Sequence, residues 1–271
     1  MVRTTVRIIL VAVVALWQPR QFAAHDWQTH PQTAVDASLA CDASKVNHSK
    51  IVVAAVGDSI TVGFNCETWS GGFVKVLQDV LGEDQYDVRD CGLCGHDAVR
   101  AGHGNVLHPS YWETGAHNQS KLMKPDVVIY MFGTNDAFEW YNTSKYYTQD
   151  MTDLISEYAS LENKPKVHTM IPPPFMNYTC VDHPPCWTTT RVQTSVSNTS
   201  CTINCLLPQI IPKISSEVDL PAPVDLLTFL GGPTDTNKTA IDSLHPNCAG
   251  YTLIGRHLAK QLFGVGASVV V

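Results

Sequence analysis

The stretch that most restricts the fold is KIVVAAVGDS, residues 50–59. Six consecutive apolar residues, Ile51 to Val56, have strand length and no alternation. That pattern suits a parallel strand covered on both faces, because a half-exposed strand would place polar residues at every second position. The run ends in Gly57-Asp58-Ser59, so a buried strand delivers a small polar corner to its carboxyl end. In open α/β sheets, reactive groups gather outside the carboxyl ends of strands.

The rest of the chain repeats the alternation that such a sheet needs. GGFVKVLQDVLG follows, with Phe73, Val74, Leu77, Val80 and Leu81 on one helical face and Gly82 as a stop. QYDVRD, KPDVVIYMFG, PKVHTMIP and APVDLLTF are the second to fifth strand candidates. Tyr147, Met151, Leu154, Ile155, Tyr158 and Leu161 mark a helix after the third. Asn247 is placed to cap a last helix carrying Tyr251, Ile254, Leu258 and Leu262. Strands alternating with helices predict an α/β fold, a parallel sheet between helical layers. Residues 172–206 break the pattern with prolines, threonines and four cysteines, and read as a disulfide-tied excursion above the sheet.

At the amino end, Arg3 and Arg7 precede a short apolar core and then the small residues Ala23 and Ala24. Residues 1–24 read as a signal peptide, with an uncleaved anchor as the alternative, and residues 25–49 as a linker. A main domain over 50–265 and a tail over 266–271 complete the division. Nine cysteines and six N-x-S/T sequons, at Asn47, Asn118, Asn142, Asn177, Asn198 and Asn237, fit an oxidising, glycosylating, extracellular route. The odd cysteine count leaves at least one thiol free or paired to another molecule. The net charge of −7, with no long Lys/Arg run, argues against nucleic acid as a partner and against stable membrane insertion. Oligomeric state is not legible.

Four polar corners carry the chemistry: GDS after the first strand, CGLCGHD after the second, GTND after the third, and DSLHPN before the last helix. A hydrolytic serine needs a base, a carboxylate to orient the base, and donors for the oxyanion. Ser59 is the candidate nucleophile. Asp242 and His245 stand three residues apart, so one tight turn brings both side chains together, with Nε2 of His245 left to face Ser59 Oγ. The candidate oxyanion donors are the backbone N–H groups of Ser59 and Gly95 and the side-chain amide of Asn135. Each corner alone reads as an ordinary turn or cap. Together, in order and at strand ends, they read as one site.

GDSIT, CGLCG, GTND and DSLHPN resemble the block motifs of the SGNH, or GDSL-type, hydrolases. The four marker residues of that family map onto Ser59, Gly95, Asn135 and His245, and the resemblance runs over residues 50–262. SYWETGAHNQSKLMKPDVVIYMFGTNDAFEW is similar to the carbohydrate acetylesterase branch, close to sialate O-acetylesterase. The resemblance implies a three-layer α/β/α sandwich around a five-stranded parallel sheet, and ester hydrolysis without a metal or organic cofactor. The substrate implied is acylated carbohydrate or another small ester. A lipase or phospholipase of the same fold, an acyltransferase, and a non-catalytic carbohydrate-binding protein are the rival readings. No G-x-S-x-G elbow is present, which argues against the α/β-hydrolase fold.

Two departures bear on the site. The family's second block commonly reads N-x-G-x-S-G, whereas Asp90 and Cys94 stand here in place of the Asn and Ser. Cys91 and Cys94 make a C-x-x-C, read here as a source of a disulfide to Cys66 rather than as a redox pair. Pairings Cys180–Cys186 and Cys201–Cys205 are the expectation for the excursion. Asp58 and Asp136 are assigned structural hydrogen bonds. His96, His103 and His108 cluster in one loop but lack H-E-x-x-H or an adjacent acidic ligand at zinc spacing, so no metal is expected. Trp112, Trp69 and Trp140, with Tyr111 and Trp187 behind them, are the candidate sugar platforms.

Overall fold

The computed structural model describes residues 39–64, 66, 72–175, 199–233 and 244–265. Five parallel strands, β1 (Ile51–Gly57), β2 (Tyr86–Gly92), β3 (Val127–Met131), β4 (Lys166–Ile171) and β5 (Val224–Asp225), form one sheet in the order β2-β1-β3-β4-β5. The helices are α1 (Ser59–Val62), α2 (Gly72–Leu81), α3 (Gly115–Leu122), α4 (Trp140–Ala159), α5 (Leu207–Glu217), α6 (Leu226–Phe229) and α7 (Cys248–Phe263).

The apolar run of β1 is buried on both sides, as its composition requires. Val52, Ala54 and Val56 join a core with Tyr147, Met151 and Leu154 of α4 and Ile211 of α5. Val53 and Ala55 face the other way, into a core with Phe73 and Leu77 of α2 and Ile254 and Leu258 of α7. This is a three-layer α/β/α sandwich. Because β1 lies between β2 and β3, the connections leave it in opposite directions, and the crevice at its carboxyl end is the topological switch point.

Several segments differ from the sequence expectation. The fifth strand is only Val224–Asp225, because Asp225 turns from the ladder to cap α6, its Oδ1 accepting from Thr228 N at 2.9 Å. Residues 39–49, read as linker, are built onto the outer edge of the sheet. Asp90 N donates to Leu39 O at 2.7 Å, and a disulfide joins Cys41 to Cys91. The carboxyl end of the excursion is helical: a π-helical turn, Thr202–Leu206, leads into α5. The leader, the tail and residues 176–198 lie outside the described residues. Among the described residues no helix is long and apolar enough to cross a membrane.

Candidate active site

The strand-end corners seen in the sequence do converge. Gly57 ends β1, and Asp58 turns the chain into α1 by accepting Ile60 N at 2.9 Å. Ser59 is therefore the first residue of a helix, where backbone N–H groups have no partner within the helix. Gly63, at φ 82, stops α1 after one turn, a left-handed conformation that a residue without Cβ adopts freely. Ser59 Oγ lies 2.8 Å from His245 Nε2, and both residues are 1% exposed.

His245 reaches the serine because its segment is tied to the loop after α1. The Phe64 ring stands 4.8 Å from the imidazole. Tyr251 OH donates to Phe64 O at 3.0 Å, and Cys66 is bonded to Cys248. Asn247 starts α7 directly afterwards, its Oδ1 accepting Gly250 N at 2.9 Å. Asp242 lies outside the described residues, as do Trp69 and Trp187.

The second and third corners are also joined. Leu93 N donates to Gly57 O at 2.9 Å, which holds the loop after β2 against the end of β1. Gly95 has φ 72, and a Cβ placed there would meet nothing within 4 Å, so its backbone faces open space. Asn135 is 3% exposed and its Nδ2 donates to His96 O at 3.0 Å. An amide NH2 carries two donors, and this bond uses one of them to fix the side chain. Asp136 braces the same loop by accepting Ala98 N and Val99 N, each at 3.1 Å.

Burial sets the electrostatics. It pushes Asp58 up to about 6 against the hydrogen bond from Ile60. Cys94, the unpaired cysteine among the described residues, is pushed up to about 12 by burial and then by the Asp58 and Asp90 charges. A thiol so raised is inert at neutral pH. With Cys91 bonded to Cys41, Cys91 and Cys94 make no dithiol pair. The expected bridge from Cys91 or Cys94 to Cys66 is thus corrected: Cys66 pairs with Cys248. Cys201 and Cys205 are disulfide-bonded, with their pairing outside the described residues, as is the Cys180–Cys186 expectation.

Asp90 bears on the departure from the family pattern. Burial pushes its carboxyl up to about 8, and its Oδ1 accepts Gly92 N at 2.9 Å. A carboxyl protonated at neutral pH has the shape and one acceptor of an asparagine amide. The folded value lies above the unfolded one, so the favourable contribution is complete below about 4 and is lost as pH rises through about 8. Asp90→Asn should therefore leave stability near pH 4.5 nearly unchanged. It should flatten the decline towards pH 8.5, by up to about 1.4 kcal/mol per pH unit. Urea unfolding of both proteins across that range measures it; parallel curves would refute the assignment.

Of the candidate aromatic platforms, Trp140 and Tyr111 are buried and Trp112 is half-buried, and Trp69 and Trp187 lie outside the described residues. Trp140 is 7% exposed and packs edge-on against Tyr147, with centroids 5.1 Å apart. Tyr111 is fully buried, its OH donating to Cys91 O at 2.8 Å. Trp112 donates from Nε1 to Ala98 O at 2.8 Å, and the Arg100 guanidinium lies 3.8 Å over its ring. These three rings fill helix–loop gaps. Among the described residues, Phe64, which no motif marked, is an aromatic beside the serine–histidine pair.

Comparison with known proteins places this arrangement. The chain matches the GDSL-like Lipase/Acylhydrolase family over residues 55–253. It is 32% identical over 108 residues to an acetylxylan esterase of Xylanibacter ruminicola. That alignment covers 39% of this chain and 21% of the relative, so the chain spans about a fifth of that protein's length. Among solved structures, Est24, a carbohydrate acetylesterase from Sinorhizobium meliloti, is similar with a TM-score of 0.55 and 16% identity, over 79% of this chain and 99% of that one. A catalytic mutant of Axe2, an acetylxylan esterase from Geobacillus stearothermophilus, gives a TM-score of 0.52 and 18% identity, over 78% and 93%. At those identities the structural likeness speaks to the fold, and the sequence match to the family. Sheet order, strand-end corners and family match agree: the chain belongs to the GDSL-like lipase/acylhydrolase family of carboxylic ester hydrolases.

Proposed function

We propose that this protein is a secreted serine esterase that removes small acyl groups, acetyl foremost, from carbohydrate. The observation that carries the reading is the 2.8 Å contact between Ser59 Oγ and His245 Nε2 at the switch point of the sheet. At that distance the imidazole takes the hydroxyl proton as Oγ attacks the ester carbonyl. The oxyanion that forms is held by the N–H groups of Ser59 and Gly95 and by Asn135 Nδ2. Asp242, three residues before His245, is assigned the role of orienting the imidazole. His245 then gives the proton to the departing sugar hydroxyl. Water, deprotonated by the same imidazole, releases acetate from Ser59. Side chains, backbone and substrate accommodate every proton and electron pair, so the cycle calls for no cofactor.

The acetyl-carbohydrate preference draws on the named activities of the similar proteins. Secretion draws on the disulfides and on the exposure of Asn47, Asn118 and Asn142, the sequon asparagines among the described residues. A panel of p-nitrophenyl esters tests the acyl preference. Acetate should be the best substrate, with kcat/KM at least about tenfold lower by octanoate, since each misfitted methylene costs about 1–3 kcal/mol. Acetate should also be released from acetylated xylan. Rates that rise with chain length, or at a lipid interface, would transfer the protein to the lipases.

A further inference from the structure

One cluster outside the serine–histidine pair has an arrangement the esterase reaction does not use. Asp97 and His108 belong to the loop after β2, and Glu139 to the 3-10 turn after β3, Asp136–Glu139. One ligand-type atom from each lies within 4.8 Å of the other two. His108 Nδ1 is 3.3 Å from Glu139 Oε1 and 3.9 Å from Asp97 Oδ1. Asp97 is fully buried, and among the described residues neither of its carboxylate oxygens has a hydrogen-bond partner. Buried polar atoms left unpaired are costly, and a carboxylate with both oxygens unpaired calls for a ligand.

The scaffold around the three groups is rigid. Glu139 accepts Val106 N at 2.6 Å through Oε2, and Leu107 N at 2.8 Å and His108 N at 2.9 Å through Oε1. Backbone bonds from Asp97 N to Pro109 O and from Tyr111 N to Asp97 O, both 2.9 Å, hold Asp97 opposite the histidine strand of the same loop. The donors are thus pinned by main chain rather than by one another.

We propose that Asp97, His108 and Glu139 form a binding site for a divalent transition-metal ion of the zinc class. An imidazole nitrogen with two carboxylates suits such an ion better than calcium or magnesium, which favour oxygen ligands alone. Zinc bonds of about 2.0–2.2 Å set neighbouring tetrahedral donors about 3.4 Å apart. The 3.9 Å edge between His108 Nδ1 and Asp97 Oδ1 is half an ångström longer than that spacing. The ion would join the 97–108 loop to the turn that follows Asn135. Since Asn135 already donates to His96 O, one residue before Asp97, its position is coupled to this clamp. The site is a positioning device for the oxyanion side, separate from the bond-making groups.

Zinc titrated calorimetrically into the full, chelator-stripped secreted protein tests the site. The expected result is saturable uptake of one equivalent with a rise in Tm. Asp97→Asn keeps the shape of the side chain and should weaken uptake roughly 100-fold or more, as partners one layer further out already cost about 10- to 100-fold. His108→Gln should do the same. His103→Gln, in the same loop but hydrogen-bonded to Asp150 at 2.6 Å, should bind as the parent does. Circular dichroism of each variant checks the fold. Absence of a saturable equivalent, or equal uptake by Asp97→Asn, overturns the site. So does a preference for calcium over zinc. An Asp97→Asn variant more stable than the parent, in a protein without uptake, would show that Asp97 and Glu139 merely share a proton.

Discussion

Ser59→Ala should lower kcat for an acetyl ester by about 10⁴- to 10⁶-fold, the range seen when a nucleophile is removed from a serine-hydrolase site. The size follows from what the hydroxyl does. In the proposed mechanism Oγ forms the acyl bond, and its neighbour at 2.8 Å, His245 Nε2, is the base that takes its proton. The remaining rate would come from the oxyanion donors acting on a water molecule. Stability should change little, because Ser59 is the first residue of a one-turn helix whose capping bond is made by Asp58, not by the serine. A pre-steady-state burst and trapping by an organophosphate, read by mass spectrometry on the Ser59 peptide, should both vanish. An unchanged rate or an adduct elsewhere would remove Ser59 from the mechanism.

The second large effect belongs to the Cys66–Cys248 disulfide. It closes a loop of 182 residues, for which chain entropy gives a stabilisation of about 5 kcal/mol. Cys41–Cys91 closes 50 residues and is worth about 4 kcal/mol on the same basis. Domains of this kind are stable by only about 5–15 kcal/mol, so either loss is severe. The two differ in what they hold. Cys66 lies beyond Phe64 in the segment that follows Ser59, and Cys248 is the first residue of α7, three beyond His245. Their bond therefore ties the serine's segment to the histidine's. The double variant Cys66→Ser/Cys248→Ser should lose both urea resistance and kcat, whereas Cys41→Ser/Cys91→Ser should lose mainly stability. Double variants avoid stranding a reactive thiol. Equal kcat losses in the two would show that the Cys66–Cys248 bond has no special hold on the site.

Much of this architecture was legible in short windows of sequence. β1, α2, α4 and α7 announce themselves because burial on two faces makes an unbroken apolar run, and burial along one helical stripe imposes a period on neighbouring residues. Of the elements that escaped, α3 lacks such a period and α5 has it interrupted by prolines. In α3 the buried residues are His117 and Ser120, and the helix starts from the Thr114 side chain accepting His117 N at 3.1 Å. α5 carries Pro208 in its first turn and Pro212 inside, two breakers that mask its helical pattern in the sequence. The first proline sits where no helical N–H is needed. The interior one is offset by buried Leu207, Ile211 and Ile214.

By itself, then, the sequence determined the layered α/β fold, the order of its strand-end corners, and the identity of the serine and histidine brought face to face. Those follow from local pattern, because strand and helix are written at periods of 2 and 3.6 residues. Tertiary structure alone decided which cysteines pair, that Trp140 is buried against Tyr147 and Trp112 lies under Arg100, and that Asp97, His108 and Glu139 meet. The last case shows the reason. Asp97 and Glu139 are separated by α3 and β3, and only the crossing of their loops at the sheet's carboxyl edge sets a carboxylate beside an imidazole. No spacing rule within one segment encodes a contact that depends on where two segments cross.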